Sequence, residues 1–185
     1  MAVFTSEMRE RAETVKAAYP DARSAMLPLL YMAQSVEGHV SHDGLREVGE
    51  ILGLTTAEVE AVATFYTMLH VEPTGEHVVA VCTNLSCMLR GAYEIYEAAK
   101  EALGEGCERR TEDGKFTLHE EECLGACAAA PLVQVDGANH DCVTKERIRQ
   151  IIESLRAGEV PEPSRGEPPS SWRHASRILA GLEES

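Results

Sequence analysis

The chain has 185 residues, 44% of them hydrophobic, and a formal net charge of -14. That length holds one ordinary domain or two small ones with a normal core, and an acidic surface makes phosphate backbones and anionic lipid poor partners. No apolar run approaches the length needed to span a bilayer, and the start, "MAVFTSEMRERAETVK", lacks the basic flank and apolar stretch of a secretory signal. The expectation is a soluble, cytoplasmic protein without direct membrane insertion, in which six cysteines point to a metal or redox site before a disulfide framework.

Residues 6 to 70 show helical spacing and no strand alternation. Met8, Ala12, Val15 and Tyr19 mark a first helix that Pro20 stops. "RSAMLPLLYMAQSVEG" follows, with Pro28 in its first turn or at a kink and Gly38 at its end. Ser41 can cap "HDGLREVGEILG". Thr55 with Glu58 forms a capping box before "AEVEAVATFYTML", whose stripe of Val59, Val62, Phe65 and Tyr66 reads as core. The expectation for residues 1–72 is a small helical bundle.

From residue 73 the pattern changes. "EHVVAVC" reads as a buried strand, and the stretch after it places Leu89, Ala92, Ile95, Tyr96, Ala99 and Leu103 on one helical face before Gly104. A strand is expected around Phe116 to His119, then two more in "PLVQVDGANHDCV" with a turn at Gly137 to Asn139, then a helix capped by Thr144. The order strand, helix, strand, strand, strand, helix suits a thioredoxin-like α/β domain over residues 73–157, and the whole is an α+β chain. Residues 158–185 read as a linker rich in Pro, Gly and Glu and a short tail helix with Trp172, Ala175, Ile178, Leu179 and Leu182 on one side. Such a helix either packs back on this chain or docks on a partner.

Cys82 and Cys87 are separated by four residues, Cys123 and Cys127 by three. Both pairs follow strands, and in a parallel pair joined by a helix those carboxyl ends are neighbours. Four thiolates in one place repel one another unless a cation neutralises them, and iron or zinc would do so. Cys87 at a helix N-terminus and the flexible Gly125 between the second pair favour anionic sulfur. Zinc knuckles more often use two-residue gaps; the wider loops here suit a two-iron cluster with one pair per iron. Four buried structural cysteines and a dithiol redox motif are weaker alternatives. Cys107 reads as a loop thiol and Cys142 as a core thiol in the last strand. His119 has no second histidine similarly placed to make a mixed centre, and Arg90 either reaches toward the site or faces solvent. No Gly-rich phosphate loop and no catalytic triad or carboxylate pair is recognisable, so no catalytic residues are assigned. A metal cluster without a substrate site reads as an electron carrier.

"CTNLSCMLRG" and "ECLGACAAAPLVQVDG", following "VEAVATFYTML", strongly resemble the thioredoxin-like [2Fe-2S] subunit of NADH:quinone oxidoreductase, respiratory complex I. The resemblance runs from about residue 10 to 157. It implies a [2Fe-2S] cluster on Cys82, Cys87, Cys123 and Cys127, and a partner NADH-oxidising flavoprotein that holds FMN, with other peripheral-arm subunits around it. FMN and NADH would belong to that partner, and this chain alone would carry no substrate site. It also implies a place peripheral to the inner membrane through the complex. Related subunits of NAD-linked formate dehydrogenases and bidirectional hydrogenases are the alternative, and a structural metal-binding adaptor is a weaker one. Family members commonly carry a bulky apolar residue and Asn where this chain has Ala128 and Ala129, and aromatic residues where it has "ANHDC". Those differences bear on solvent access to a cluster and not on its ligands.

Overall fold

The structure, a computed structural model, describes residues 2–182. Its residues gather into two compact units, one running to Pro73 and resuming at Arg173, the other Thr74–Trp172.

In the first unit, local caps set the helix bounds. Helix α1 (Ser6–Ala17) starts on Thr5, whose hydroxyl accepts from the Met8 amide. Helix α2 (Met26–Glu37) carries Pro28 in its first turn, where a missing N–H costs nothing, and ends at Gly38 with φ 82°. Helix α3 (His42–Leu52) starts on Ser41, and α4 (Thr56–Ala63) on the reciprocal Thr55–Glu58 capping box. Leu29, Leu30, Met32, Val40, Val48 and Val59 form the fully buried centre. One buried polar residue ties the unit together. Gln34 Nε2 donates to Met68 O at 3.1 Å and Ser176 Oγ at 3.2 Å, while its Oε1 accepts from the His70 amide at 2.8 Å. Every polar atom of that side chain is thus satisfied, as burial demands.

Ser176 belongs to the tail helix α8 (Trp172–Leu179) and is fully buried. Trp172 and Ala175 are buried too, and Ala180 joins the core of the first unit, whereas Leu179 is exposed. The tail therefore packs back on this chain. Helix α4 is shorter than its apolar stripe suggests. It stops at Ala63, where the Thr64 hydroxyl donates back to Glu60 O, and residues 64–69 run on as turns. Phe65 and Tyr66 consequently leave the core face: Phe65 is 76% exposed, and the two rings meet edge to face.

The second unit is built on a four-stranded sheet of order β2-β1-β3-β4. Strand β1 (His77–Cys82) pairs in parallel with β2 (Phe116–Glu121), from His77 opposite Phe116 to Cys82 opposite Glu121. Strands β3 (Val133–Val135) and β4 (Ala138–His140) complete it antiparallel. The hairpin turns on Asp136 and Gly137 alone, with φ 51° and 84°. An Asp-Gly pair with two positive φ angles is the tight turn that matches strand twist, so Asn139 lies in β4 rather than in the turn.

The helix expected after β1 is two helices: α5 (Leu85–Leu89) and α6 (Ala92–Leu103), broken at Gly91 with φ 90°. The break turns Leu89 to solvent, 75% exposed. Helix α6 and α7 (Lys145–Arg156, capped by Thr144) share one apolar cluster with Val79, Val81, Phe116 and Leu118 of the sheet. Both sheet edges are covered. Residues 107–111 fold along β2, with the Leu118 amide donating to Cys107 O at 2.7 Å, and the Pro-rich stretch lies along β4, with the Ser164 amide donating to Asn139 O at 2.7 Å.

Candidate metal centre

Cys82 is the last residue of β1, and Glu121, its partner across the parallel ladder, ends β2 two residues before Cys123. Parallel pairing therefore delivers both cysteine segments to one rim. The short α5 then turns Cys87 back toward Cys82: the Cys87 and Met88 amides donate to Asn84 O, and the Arg90 amide to Cys87 O. On the other segment, Gly125 at φ 77° supplies a conformation that side chains resist, and Cys127 opens a single 3-10 turn to Ala129.

The four thiols stand as two pairs. Cys82 acts on the Cys87 thiol, and Cys123 on the Cys127 thiol. Cys82 and Cys87 are buried with Ala92, Ala130 and Leu132 around them, while Cys123 and Cys127 are exposed. All are free thiols. Burial pushes the Cys87 thiol up to about 11, and the neighbouring sulfurs of Cys82 and Cys127 add to it. Cys127 is raised by the sulfur of Cys123 and, further off, of Cys82. The expected easing of Cys87 by a helix N-terminus is thus outweighed; α5 has five residues, too short for its dipole to offset desolvation and neighbouring sulfur. One group does favour anionic sulfur, the Leu132 backbone, which acts to lower the Cys87 thiol against these effects.

Among the described residues no three ligating side chains close on a single point as a one-ion site. Two thiol pairs at one rim form a donor set suited to two soft cations with two sulfurs apiece. Arg90 is exposed. Cys107 and Cys142 exchange their expected places. Cys107 is fully buried because its loop closes the β2 edge, and Cys142 is exposed beyond the end of β4 with φ 49°. Sequence reasoning missed the Leu132 backbone, which nothing in residue type could mark, and the capping role of Asn84, which its position just before a short helix does signal.

The profile of the family described as "Thioredoxin-like [2Fe-2S] ferredoxin" matches residues 12–156. The chain is 45% identical to the E-type subunit of NADH-quinone oxidoreductase from Mycobacterium tuberculosis over 173 residues, covering 94% of this chain and 69% of that protein. It is 43% identical to an E-type subunit of NADH-quinone oxidoreductase from Rhizobium meliloti, covering 82% and 90%. It is 37% identical to NADH-quinone oxidoreductase subunit 2 of Thermus thermophilus, covering 84% and 88%. Among solved structures, a chain of an NAD+-reducing [NiFe]-hydrogenase superposes with a TM-score of 0.64 at 21% identity, over 74% of this chain. The match spans about a fifth of that longer hydrogenase chain (22%), and it speaks to the fold alone.

Proposed function

The chain belongs to the thioredoxin-like [2Fe-2S] ferredoxin family, and from that premise we propose that Cys82, Cys87, Cys123 and Cys127 hold its [2Fe-2S] cluster in an electron-transfer subunit of NADH:quinone oxidoreductase. The observation that carries the assignment is the pairing of four free thiols at one rim of the sheet. When bound, the cluster supplies a one-electron store. The chain's own residues do the rest. The four thiols give up their protons on binding, so cluster insertion releases acid. The Leu132 backbone beside the Cys87 sulfur favours its anionic form. Ala92, Ala130 and Leu132 shield the inner pair from water, while the exposed outer pair leaves one side open to a partner.

That partner is an NADH-oxidising flavoprotein subunit that carries FMN, set among the other subunits of the complex. The names of the relatives at 37–45% identity favour this setting over a hydrogenase or a formate dehydrogenase. Among the described residues no helix is long and apolar enough to cross a membrane; attachment at the cytoplasmic face of the inner membrane then runs through the complex. The division of the chain in this reading is residues 1–72 as a docking bundle, residues 73–157 as the cluster domain and residues 158–185 as linker and tail helix.

The test is to isolate the full chain anaerobically and measure iron and acid-labile sulfide, then to titrate NADH into it. Two irons and two sulfides per chain, with no saturable NADH binding, are expected. A single zinc per chain would defeat the cluster assignment, and micromolar NADH binding would defeat the division of labour.

A further inference from the structure

The parallel ladder between β1 and β2 ends at Cys82 and Glu121. Both cysteine segments continue past that point, and something must hold one against the other. We propose that Thr83 and Asn84 are positioning residues that stitch the two segments together and so fix the spacing of the two thiol pairs. The inference rests on the cluster reading above.

Three contacts make the stitch. The Thr83 amide donates to Glu121 O at 2.9 Å. The Thr83 hydroxyl donates to Glu120 Oε1 at 2.9 Å, with Glu121 O as a more distant second acceptor at 3.5 Å. Asn84 Nδ2 donates to Glu122 Oε2 at 3.4 Å. Thr83 is buried, so its hydroxyl has little water to turn to. Asn84 works in two directions. Its Oδ1 accepts from the Leu85 amide at 2.6 Å, which starts the helix that carries Cys87, and its Nδ2 reaches the residue that precedes Cys123. A fourth link, the Cys82 thiol to Glu122 O at 3.8 Å, needs the sulfur proton that a metal displaces. With metal bound, the three contacts from Thr83 and Asn84 are the links that remain.

Neighbouring thiolates repel. A loosened stitch lets the pairs drift apart, which alters ligand geometry before it alters folding. Groups that orient metal ligands this way typically change metal retention by about tenfold or more when removed.

The experiment compares cluster-loaded full-length Thr83→Val, Thr83→Ser, Asn84→Asp and Glu122→Ala with the unsubstituted chain. The readouts are the electron paramagnetic resonance line shape of the reduced cluster and its rate of bleaching by an iron chelator. Thr83→Val, Asn84→Asp and Glu122→Ala should bleach about tenfold faster and shift the line shape, and Thr83→Ser should restore both. Asn84→Asp keeps the acceptor for the Leu85 amide but sets a carboxylate against Glu122, so it separates the stitch from the helix cap. Glu122 is exposed, so its replacement breaks the same bond without threatening the fold. An Asn84→Asp protein that matches the unsubstituted chain would overturn the role of Asn84, and an unchanged Thr83→Val protein that of Thr83. Failure of the unsubstituted chain to show any two-iron signal would instead overturn the cluster reading itself.

Discussion

The two ends of β1 treat polar groups in opposite ways. At its start, His77 and Asp136 are both buried, and they complete each other: Nδ1 and Oδ2 lie 2.7 Å apart, and Oδ1 accepts from the Val78 amide at 2.8 Å. At its far end, Cys82 meets three more thiols, like groups that raise the Cys87 and Cys127 thiols rather than cancel. A closed pair of unlike groups is architecture, since nothing outside the chain is needed to satisfy it. A gathering of like groups is costly until a cation arrives, and that asymmetry marks the functional end of the strand.

The contrast breaks most sharply by substitution at each end. Cys123→Ser should abolish the stable cluster, read as loss of iron and sulfide, while the metal-free protein melts as before because Cys123 is exposed. Asp136→Ala should do the reverse. It leaves His77 and the Val78 amide without their acceptor and puts Ala at φ 51°, so urea denaturation should show a loss of about 3 kcal/mol with the cluster spectrum unchanged. A protein in which either substitution produced both effects would show that the ends are not separable.

Smaller effects sharpen the comparison. Cys107→Ala should cost about 1 kcal/mol, the scale of removing one small buried group, whereas Cys142→Ser, at an exposed site, should change neither melting nor iron content. Acid titration gives the finest test. Burial raises the Asp136 carboxyl above its usual 3.8, against the lowering effect of His77. The native state therefore holds that proton to higher pH than the unfolded chain does. The contribution is fully present below 3.8 and is lost as pH rises through the folded value. The stability difference between the unsubstituted chain and Asp136→Asn should accordingly fall as pH rises above about 4. A difference that grows instead would mean that the charged pair with His77 dominates.

Much of this was visible in residue order. Caps at Thr55, Ser41 and Thr144, stops at Gly38 and Gly104, and the strand-helix-strand order of the second half act locally, and local rules survive folding. The convergence of the cysteine segments followed from one inference, parallel pairing of β1 with β2. What stayed hidden depends on contacts between distant residues. Phe65 and Tyr66 continue the α4 stripe in sequence, but the helix stops before it can use them. Cys107 sits in a polar stretch and is buried because that stretch covers a sheet edge; Cys142 sits at the end of the last strand pattern and is exposed because β4 ends at His140. The tail's stripe could not reveal its partner, which turns out to include Gln34 of α2. Deleting residues 173–185 should therefore lower the melting temperature of the helical unit and leave the cluster spectrum intact. An unchanged melt would show that burial of Ser176 adds nothing to that unit.

The central claim is that two cysteine pairs hold two irons. Mössbauer spectroscopy of the iron-57-loaded full chain tests it most directly. The account predicts, in the oxidised protein, paired ferric sites with all-sulfur ligation and no net spin, and loss of that signal in Cys82→Ser, Cys87→Ser, Cys123→Ser and Cys127→Ser alike. A lone iron in four-sulfur coordination, or a paired-iron signal retained in any one of those four variants, would contradict it.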